Sequence, residues 1–369
     1  MSPAPPRSFT VIVGAVILLV IYAHTNFSLT PASFRLGSLP DQHHDRAPEE
    51  VLPVPSQTYV ISLPRRRDRY ADMERLRTRL GVRWTYAVAE DAQSPLVDQI
   101  LTQVRTLRQN TLQDMQYLPN TTVTLPFEWP STDISTSHVS SQNPALERQL
   151  ADSDSERLTC ATGNFTLPPY SAHLPEYKIL SRSRIACWHS HLSVIRRVST
   201  AGSDKTATLI LEDDIDMEAD IKERLSSIWS LLPADWDIVF FGCVGALACH
   251  CWSNESYYPA LEYTLSRQST PLSTAFHPSH APLCTHAYAL SPAGAKRLLL
   301  HLTYPPFAYS RAIDHALAWL VRSGRLKAFS VLPSVVVQRK IGKSDVMLGD
   351  GSEWRDHLVH GVLANGDFA

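Results

Sequence analysis

Two hydrophobic patterns alternate along the chain. Short runs of apolar, mostly β-branched or aromatic residues predict strands, and apolar residues three or four positions apart predict helices. A strand at residues 58–63, a helix at 65–80 and a strand at 83–89 form a predicted βαβ unit, which is typical of parallel sheets. The sequence therefore predicts an α/β fold with a mostly parallel central sheet flanked by helices.

The same patterns return in the second half of the chain. Residues 185–195 suit a helix with one apolar face, and residues 206–211 form a continuously apolar strand of the kind buried in parallel sheets. Ser291 is expected to cap a helix that begins at Pro292. The other predicted elements are strands at 236–242 and 285–290, one or two edge-type strands at 328–337 around Pro333, and helices starting near 218 and 310.

Polar composition divides the rest of the chain. Residues 93–177 are rich in Ser, Thr, Gln and Asn and are interpreted as a surface insertion with a helix near 95–115. Residues 28–55 are rich in proline, charge and histidine and are predicted to be a stem or linker. The predicted folded domain covers 56–345, and a C-terminal tail covers 346–369.

An uncharged apolar segment lies near the N terminus, at residues 9–23. We predict a transmembrane signal-anchor over 9–27, with residues 1–8 as a cytoplasmic head and the rest of the chain in the lumen. At about 1.5 Å per residue the segment suits the thinner membranes of the early secretory pathway. Cleavage as a signal peptide near Ala23 is the alternative. The expected location is the Golgi or endoplasmic reticulum membrane, as a single-pass type II protein.

Composition and charge exclude several classes of protein. With 34 Lys and Arg against 36 Asp and Glu, the formal net charge is −2, so nothing attracts the chain to nucleic acid. Hydrophobic residues make up 44% of the chain, which is enough to build a core. In a lumenal protein, Cys249 and Cys251 favour disulfides over zinc. Glycosylation acceptors begin at Asn26, Asn120, Asn164 and Asn254.

The most informative stretch is a run of carboxylates directly after the strand predicted at 206–211. Glu212, Asp213 and Asp214 are expected at the carboxyl end of that strand, where active sites of open α/β sheets lie. Clustered carboxylates repel one another and lose hydration, and a bound cation normally offsets this cost. The run therefore predicts a divalent metal site, with the N-cap of the following helix as the alternative interpretation.

The order and spacing of several short segments resemble glycosyltransferase family 25, which includes bacterial lipooligosaccharide galactosyltransferases and animal collagen galactosyltransferases. The resemblance runs from about Tyr59 to Asp345 and is interrupted by the insertion. No single segment is specific, but their order and spacing together are. The segments are 60–63 (VISL), 87–90 (AVAE), 187–191 (CWHSH), 210–214 (ILEDD), 285–291 (THAYALS) and 313–314 (ID), with Arg65, Asp68, Arg69, Gly294, Ala295, Gln338, Ser344 and Asp345.

The resemblance implies a GT-A-type nucleotide-diphospho-sugar transferase fold, a UDP-sugar donor, often UDP-galactose, a Mn²⁺ ion and inversion at the anomeric carbon. In that family the last acid of the run reaches the metal, and an earlier acid contacts the ribose or the ion. Asp214 is therefore the first expected metal ligand, followed by Asp213 and Glu212. Asp216 receives less weight, because the family pattern has a hydrophobic or variable residue there.

Further residues are expected around this site. Asp314, at the start of a predicted helix, is the candidate base for the acceptor hydroxyl, and capping that helix is the alternative. His189 and His191 project from opposite faces of one helix, which argues against a shared zinc. His191 is the one expected at the donor, with a buried hydrogen-bonded histidine as the alternative. The expected donor contacts are Arg65, Asp68, Arg69, His191, Glu212, Asp213 and Asp345, with Gln338 and Ser344 on a loop near the diphosphate.

The sequence thus predicts a metal-dependent inverting transferase that moves a hexose, with galactose as first candidate, to a glycan or glycoprotein acceptor. The alternative is an inactive relative that binds a glycan or a protein, and the retained acid run argues against it. A metal-dependent hydrolase is a third possibility. Residues 181–185 (SRSRI) depart from the Gly-Glu-Ile-Gly typical of the family, and the insertion is long, so both affect the expected acceptor side.

Overall fold

The computed structural model describes residues 55, 57–117, 157–163, 166–201, 206–242, 274–283, 285–339 and 358–363. None of the helices in these ranges is long and apolar enough to cross a membrane. The predicted anchor at 9–27 and nearly all of the predicted stem lie outside the described residues. The same is true of Asn26, Asn120, Asn164, Cys249, Cys251, Asn254, Ser344 and Asp345.

The described residues form strands and helices in alternation. The strands are β1 (Gln57–Ser62), β2 (Thr85–Val88), β3 (Thr208–Glu212), β4 (Ile215–Met217), β5 (Ile238–Phe240), β6 (Ala275–Pro278), β7 (Ala287–Leu290), β8 (Ala328–Leu332) and β9 (Val336–Gln338). The α-helices are α1 (Arg67–Leu80), α2 (Pro95–Tyr117), α3 (Arg182–Thr200), α4 (Ile221–Ile228), α5 (Pro292–Thr303) and α6 (Ile313–Arg322).

Seven of these strands form one sheet, in the order β2-β1-β3-β7-β5-β8-β6. β1 pairs in parallel with β2 and β3, and β5 pairs in parallel with β8. β7 lies antiparallel between β3 and β5, and β6 is antiparallel to β8. Five of the seven strands therefore run in the same direction, which confirms the predicted α/β class with a mostly parallel sheet.

The predicted βαβ opening is confirmed, with element ends that differ from the predicted ones by up to two residues. Tyr59 on β1 pairs with Thr85 on β2 and, on its other side, with Ile210 on β3. Helix α1 ends at Gly81, whose φ of 60° lies in the left-handed region that favours glycine. This residue turns the chain from the helix into β2 and so fixes the parallel connection.

Helices cover both faces of the sheet, because successive strand residues point to opposite sides. Ile210 packs on one face with Trp188 of α3 and residues of α2, α5 and α6. Leu209 and Leu211 pack on the other face with Met73 of α1 and residues of α4. The sheet edge where β1 and β3 end is therefore held between two apolar layers.

The prediction of one or two edge-type strands at 328–337 is confirmed as two strands, but the edge position was wrong for β8. β8 pairs on both sides, with β5 and with β6, and β6 was not predicted. Pro333 lies just beyond β8, so its missing N–H removes no hydrogen bond from the ladder. The chain then enters β9, which pairs with β4 in a separate two-stranded sheet.

Gly294 provides a test of how tightly α5 packs on β5. The Ser291 hydroxyl accepts a hydrogen bond from the Gly294 N–H, which confirms the predicted helix cap. A Cβ on Gly294 would lie 2.0 Å from the carbonyl oxygen of Asp237. We expect Gly294→Ala to lower the free energy of unfolding by about 1–3 kcal/mol, measured by urea denaturation.

Leu300→Ala is the matched control, because Leu300 is on the same helix and 72% exposed. It should change the free energy of unfolding by less than about 0.5 kcal/mol. Equal stability of Gly294→Ala and the unmodified chain would contradict the close approach of α5 to β5.

Candidate functional site

Three strand and helix termini bring polar side chains to one edge of the sheet. β1 and β3 are parallel and end together, with Ile61 opposite Glu212. Ser62 ends β1, and Asp213 and Asp214 follow Glu212 directly. The acid run therefore lies at the carboxyl ends of parallel strands, as predicted.

Asp213 has hydrogen-bond partners on both carboxylate oxygens. Arg69 Nη1 donates to Oδ1 at 2.9 Å, and Ser62 Oγ donates to Oδ2 at 2.7 Å. Arg69 comes from the first turn of α1, which starts shortly after β1 and so returns to the same sheet edge. Asp213 is only 5% exposed, and its charge is balanced within the protein.

Glu212 points to a different set of partners. Its Oε1 accepts a hydrogen bond from Thr285 Oγ1 at 2.7 Å and lies 3.3 Å from His191 Nε2. His191 Nδ1 is hydrogen-bonded to the Tyr288 hydroxyl at 3.0 Å. Burial alone would raise the pKa of Glu212, but the hydrogen bonds and charge of its partners lower it to about 2. Glu212 is therefore held as an ionised carboxylate.

Asp214 is the acid of the run whose charge is least compensated. Gln338 Nε2 donates to its carboxylate at 3.2 Å, and Arg69 Nη1 lies 3.3 Å away while bonding more closely to Asp213. Burial and the negative charge of Glu212 raise the pKa of Asp214 to about 7. A cation placed at Asp214 would relieve this excess of negative charge.

The alternative interpretation of the run as a helix cap is excluded. The next helix, α4, begins at Ile221, and the residue before it, Asp220, makes no side-chain capping bond. Asp216 accepts hydrogen bonds from the backbone N–H groups of Met217 and Leu363 instead. Glu212, Asp213 and Asp214 therefore lie at the sheet edge, whereas Asp216 binds backbone N–H groups.

The described residues contain no group of three or more His, Cys, Asp and Glu side chains arranged to hold a metal ion. Glu212 and Asp213, the other two predicted ligands, already have hydrogen-bond partners within the protein. Asp214 remains as an oxygen ligand. Such a site fits Mg²⁺ or Mn²⁺, which one or two carboxylates bind together with substrate phosphates and water.

The two histidines of α3 face opposite sides, as predicted. His189 Nδ1 is hydrogen-bonded to the Tyr309 hydroxyl at 2.9 Å, whereas His191 contacts Tyr288 and Glu212. Both rings are buried. His191 is therefore a buried, hydrogen-bonded histidine, as in the alternative interpretation. It also contacts Glu212 of the acid run.

Asp314 and two acids of the run act electrostatically on the same neighbour. Burial raises the pKa of the Cys187 thiol, and the negative charges of Glu212, Asp314 and Asp214 raise it further. Asp314 does not occupy the N-cap of α6, which is Ala312, and the only hydrogen bond described for its carboxylate is with the adjacent His315 N–H.

Two other predicted donor contacts, Arg65 and Asp68, form ion pairs with residues outside the acid run. Arg65 is paired with Asp91 at 2.8 Å, and both side chains are exposed. Asp68 is paired with Arg66, whose hydrogen bond lowers the pKa of Asp68 to about 2. Of the three residues predicted after β1, the structure therefore brings only Arg69 into contact with the acid run.

Sequence reasoning assigned no role to several polar residues of this site. Ser62, Thr285 and Tyr288 each hold a member of the acid run or its histidine. All three fall in segments that carried the family resemblance. The available signal was their position at or near the ends of buried strands, where an unpaired hydroxyl would be costly.

The pKa of Asp214 leads to a test of stability in the absence of metal. The folded protein binds the proton of Asp214 up to a pH of about 7, whereas the ordinary value is 3.8, so stability falls as the pH rises between these values. We expect Asp214→Asn to raise the free energy of unfolding by about 2–4 kcal/mol at pH 8 and to have little effect below pH 4. Urea denaturation with a chelator present measures this.

Asp216→Asn is the comparison, two residues along the chain. Its carboxylate accepts two backbone N–H groups, so its loss should lower the free energy of unfolding by about 1–3 kcal/mol. Destabilisation by Asp214→Asn at pH 8 would contradict the excess negative charge at Asp214.

Comparison with known protein families gives one match. Residues 153–315 match the family model described as glycosyltransferase family 25 (LPS biosynthesis protein). The matched range contains α3, β3, the acid run and Asp314. No curated protein sequence matches the chain. The resemblance predicted from about Tyr59 to Asp345 is thus confirmed over residues 153–315, which are similar in sequence to glycosyltransferase family 25.

Proposed function

We propose that the chain is a metal-dependent inverting glycosyltransferase that moves a hexose from a UDP-sugar to a glycan or glycoprotein acceptor. Galactose is the first candidate for the hexose, and the secretory pathway is the proposed compartment. The observation that carries the proposal is Asp214, a partly buried and poorly compensated carboxylate at the carboxyl end of β3 within the family-matched segment.

The arrangement of the sheet supports a GT-A-type fold as the finer description. Parallel strands β2, β1 and β3 form one half of the sheet, and β7 runs antiparallel between β3 and β5. This half ends at the acid run. Nucleotides commonly bind at the carboxyl ends of parallel strands in such sheets.

Breaking a sugar–diphosphate bond leaves negative charge on the departing phosphate. A divalent cation bound at Asp214 would stabilise that charge. Arg69 is near the same position, because its guanidinium contacts both Asp213 and Asp214. The Arg69 guanidinium is suited to bind a diphosphate oxygen, because its ion pair with Asp213 holds it in place.

In the proposed reaction the acceptor hydroxyl oxygen attacks the anomeric carbon from the face opposite the diphosphate. The bond from that carbon to the phosphate oxygen breaks, and UDP leaves with the electron pair. Asp314 takes the proton of the acceptor hydroxyl. Its negative charge acts on Cys187 together with those of Glu212 and Asp214, which supports this role.

A catalytically inactive relative that binds a glycan or protein is the second candidate. Such a relative would have the same fold and family match, but it would not need a charged carboxylate that can bind a metal ion. Asp214 therefore distinguishes the two proposals, because a binding module gains nothing from a buried acid that lowers stability.

Calorimetric titration of the full chain with UDP tests the donor and the metal together. We expect UDP to bind with Mn²⁺ present, and Asp214→Asn to weaken this binding by at least about 10-fold, since it removes the metal's protein carboxylate.

Asp235→Asn is the control for that titration. Asp235 is paired with Lys327 and precedes β5, at the amino end of that strand. The Asp235→Asn chain should bind UDP with the same affinity as the unmodified chain. A folded chain that binds no UDP with or without Mn²⁺ would sink the UDP-sugar proposal and favour the binding module.

Asp314→Asn tests the base separately from the donor site. Loss of a general base should lower kcat by about 10²–10⁴-fold, while calorimetric UDP affinity stays unchanged. The measurement is initial rate of transfer with the best donor and acceptor pair found by screening. An unchanged kcat would assign the proton transfer to another group.

A further inference from the structure

Two buried carboxylates beyond the metal candidates bind a segment near the C terminus. Glu218 accepts hydrogen bonds from the Val359 N–H on Oε1 at 2.7 Å and from the His360 N–H on Oε2 at 2.8 Å. Asp216 Oδ1 accepts from the Leu363 N–H at 3.0 Å. Glu218 is 1% exposed and Asp216 4% exposed. We call residues 358–363 the C-terminal clasp.

Backbone and apolar contacts hold the clasp as well. The Val362 N–H donates to the Met217 carbonyl at 3.0 Å, and the Ala219 N–H donates to the His360 carbonyl at 3.0 Å. Arg79 Nη1 on α1 donates to the Val362 carbonyl at 2.6 Å. The side chains of Val362 and Leu363 are buried in the same apolar layer as α1 and α4.

The clasp lies along β4, which directly follows Asp214. On its other side β4 pairs with β9, with Asp216 opposite Val337. β9 in turn reaches Asp214, because Gln338 donates to its carboxylate and the Arg339 N–H donates to its carbonyl. β4 is therefore held on one side by β9 and on the other by the clasp.

We propose that the C-terminal clasp, anchored by Asp216 and Glu218, positions Asp214 for metal and donor binding by fixing β4. Asp216 and Glu218 are positioning residues and do not contact the donor. Charge-assisted hydrogen bonds to backbone N–H groups are stronger than neutral ones, which suits them to hold a chain segment in one place. The proposal rests on the proposed function only for its effect on the donor.

Glu218→Gln is the most selective variant. The amide keeps the shape of the side chain but replaces one acceptor oxygen with an NH₂ donor that faces a backbone N–H. A second variant ends the chain after residue 357 and removes the clasp entirely. Asp220→Asn is the matched control, because Asp220 is a neighbouring carboxylate that pairs with Arg224 and is half-exposed.

Hydrogen–deuterium exchange of the full-length variants reports on β4 without any ligand. We expect backbone exchange at residues 213–217 to speed up by at least about 10-fold in Glu218→Gln, and not in Asp220→Asn. Calorimetry with Mn²⁺ then measures UDP affinity, which should fall by about 10-fold in Glu218→Gln at a temperature where the protein is folded.

Unchanged exchange at residues 213–217 with faster exchange at 358–363 would overturn the proposal, since the clasp would then open without affecting β4. A lower Tm with unchanged exchange at 213–217 and unchanged UDP affinity would overturn it too, leaving a purely structural clasp. If the truncated chain fails to fold, the exchange rates and UDP affinity of Glu218→Gln alone test the proposal. If the unmodified chain binds no UDP, the proposed function fails and the exchange measurement alone decides the clasp.

Discussion

Five carboxylates lie within the seven residues 212–218, beginning with the last residue of β3, and the folded chain provides close partners for four of them. Asp213 binds Arg69 and Ser62, and Glu212 binds Thr285 and His191. Asp216 and Glu218 bind backbone N–H groups of the C-terminal clasp. Burying charge is costly unless it finds a partner, so these contacts connect α1, α3 and Thr285 to the edge of the main sheet and the clasp to β4.

Asp214 is the carboxylate of residues 212–218 whose charge these contacts compensate least. Its partners are a glutamine amide and a guanidinium that is bonded more closely to its neighbour. The resulting excess of negative charge lowers stability in the absence of a cation and prepares a site for one. A cost in stability at a functional position is expected where binding of a ligand restores the balance.

Local sequence was sufficient for much of the fold. The βαβ opening, the buried strand β3, the cap at Ser291 and α5 follow from patterns within a few residues, and the structure contains them all. β4 and β6 were missed because they are short and owe their pairing to distant strands. The proline at 333 suggested an edge strand, but its position beyond β8 removed that constraint.

The site was predictable in location but not in detail. An acid run after a buried strand predicts a charged sheet edge, and the structure confirms that location. The contacts of the five acids depend on partners far away in sequence. Arg69 is 144 residues from Asp213, and Leu363 is 147 residues from Asp216. No spacing within residues 212–218 encodes these contacts, so the sequence alone does not assign a partner to each acid.

The most direct test of this account is a crystal structure of the full chain with Mn²⁺ and UDP, in which anomalous scattering locates the manganese. The account predicts one strong peak within coordination distance, about 2.0–2.6 Å, of an Asp214 carboxylate oxygen and next to the diphosphate. UDP bound without manganese at Asp214, or manganese bound at a different set of acids, would contradict it.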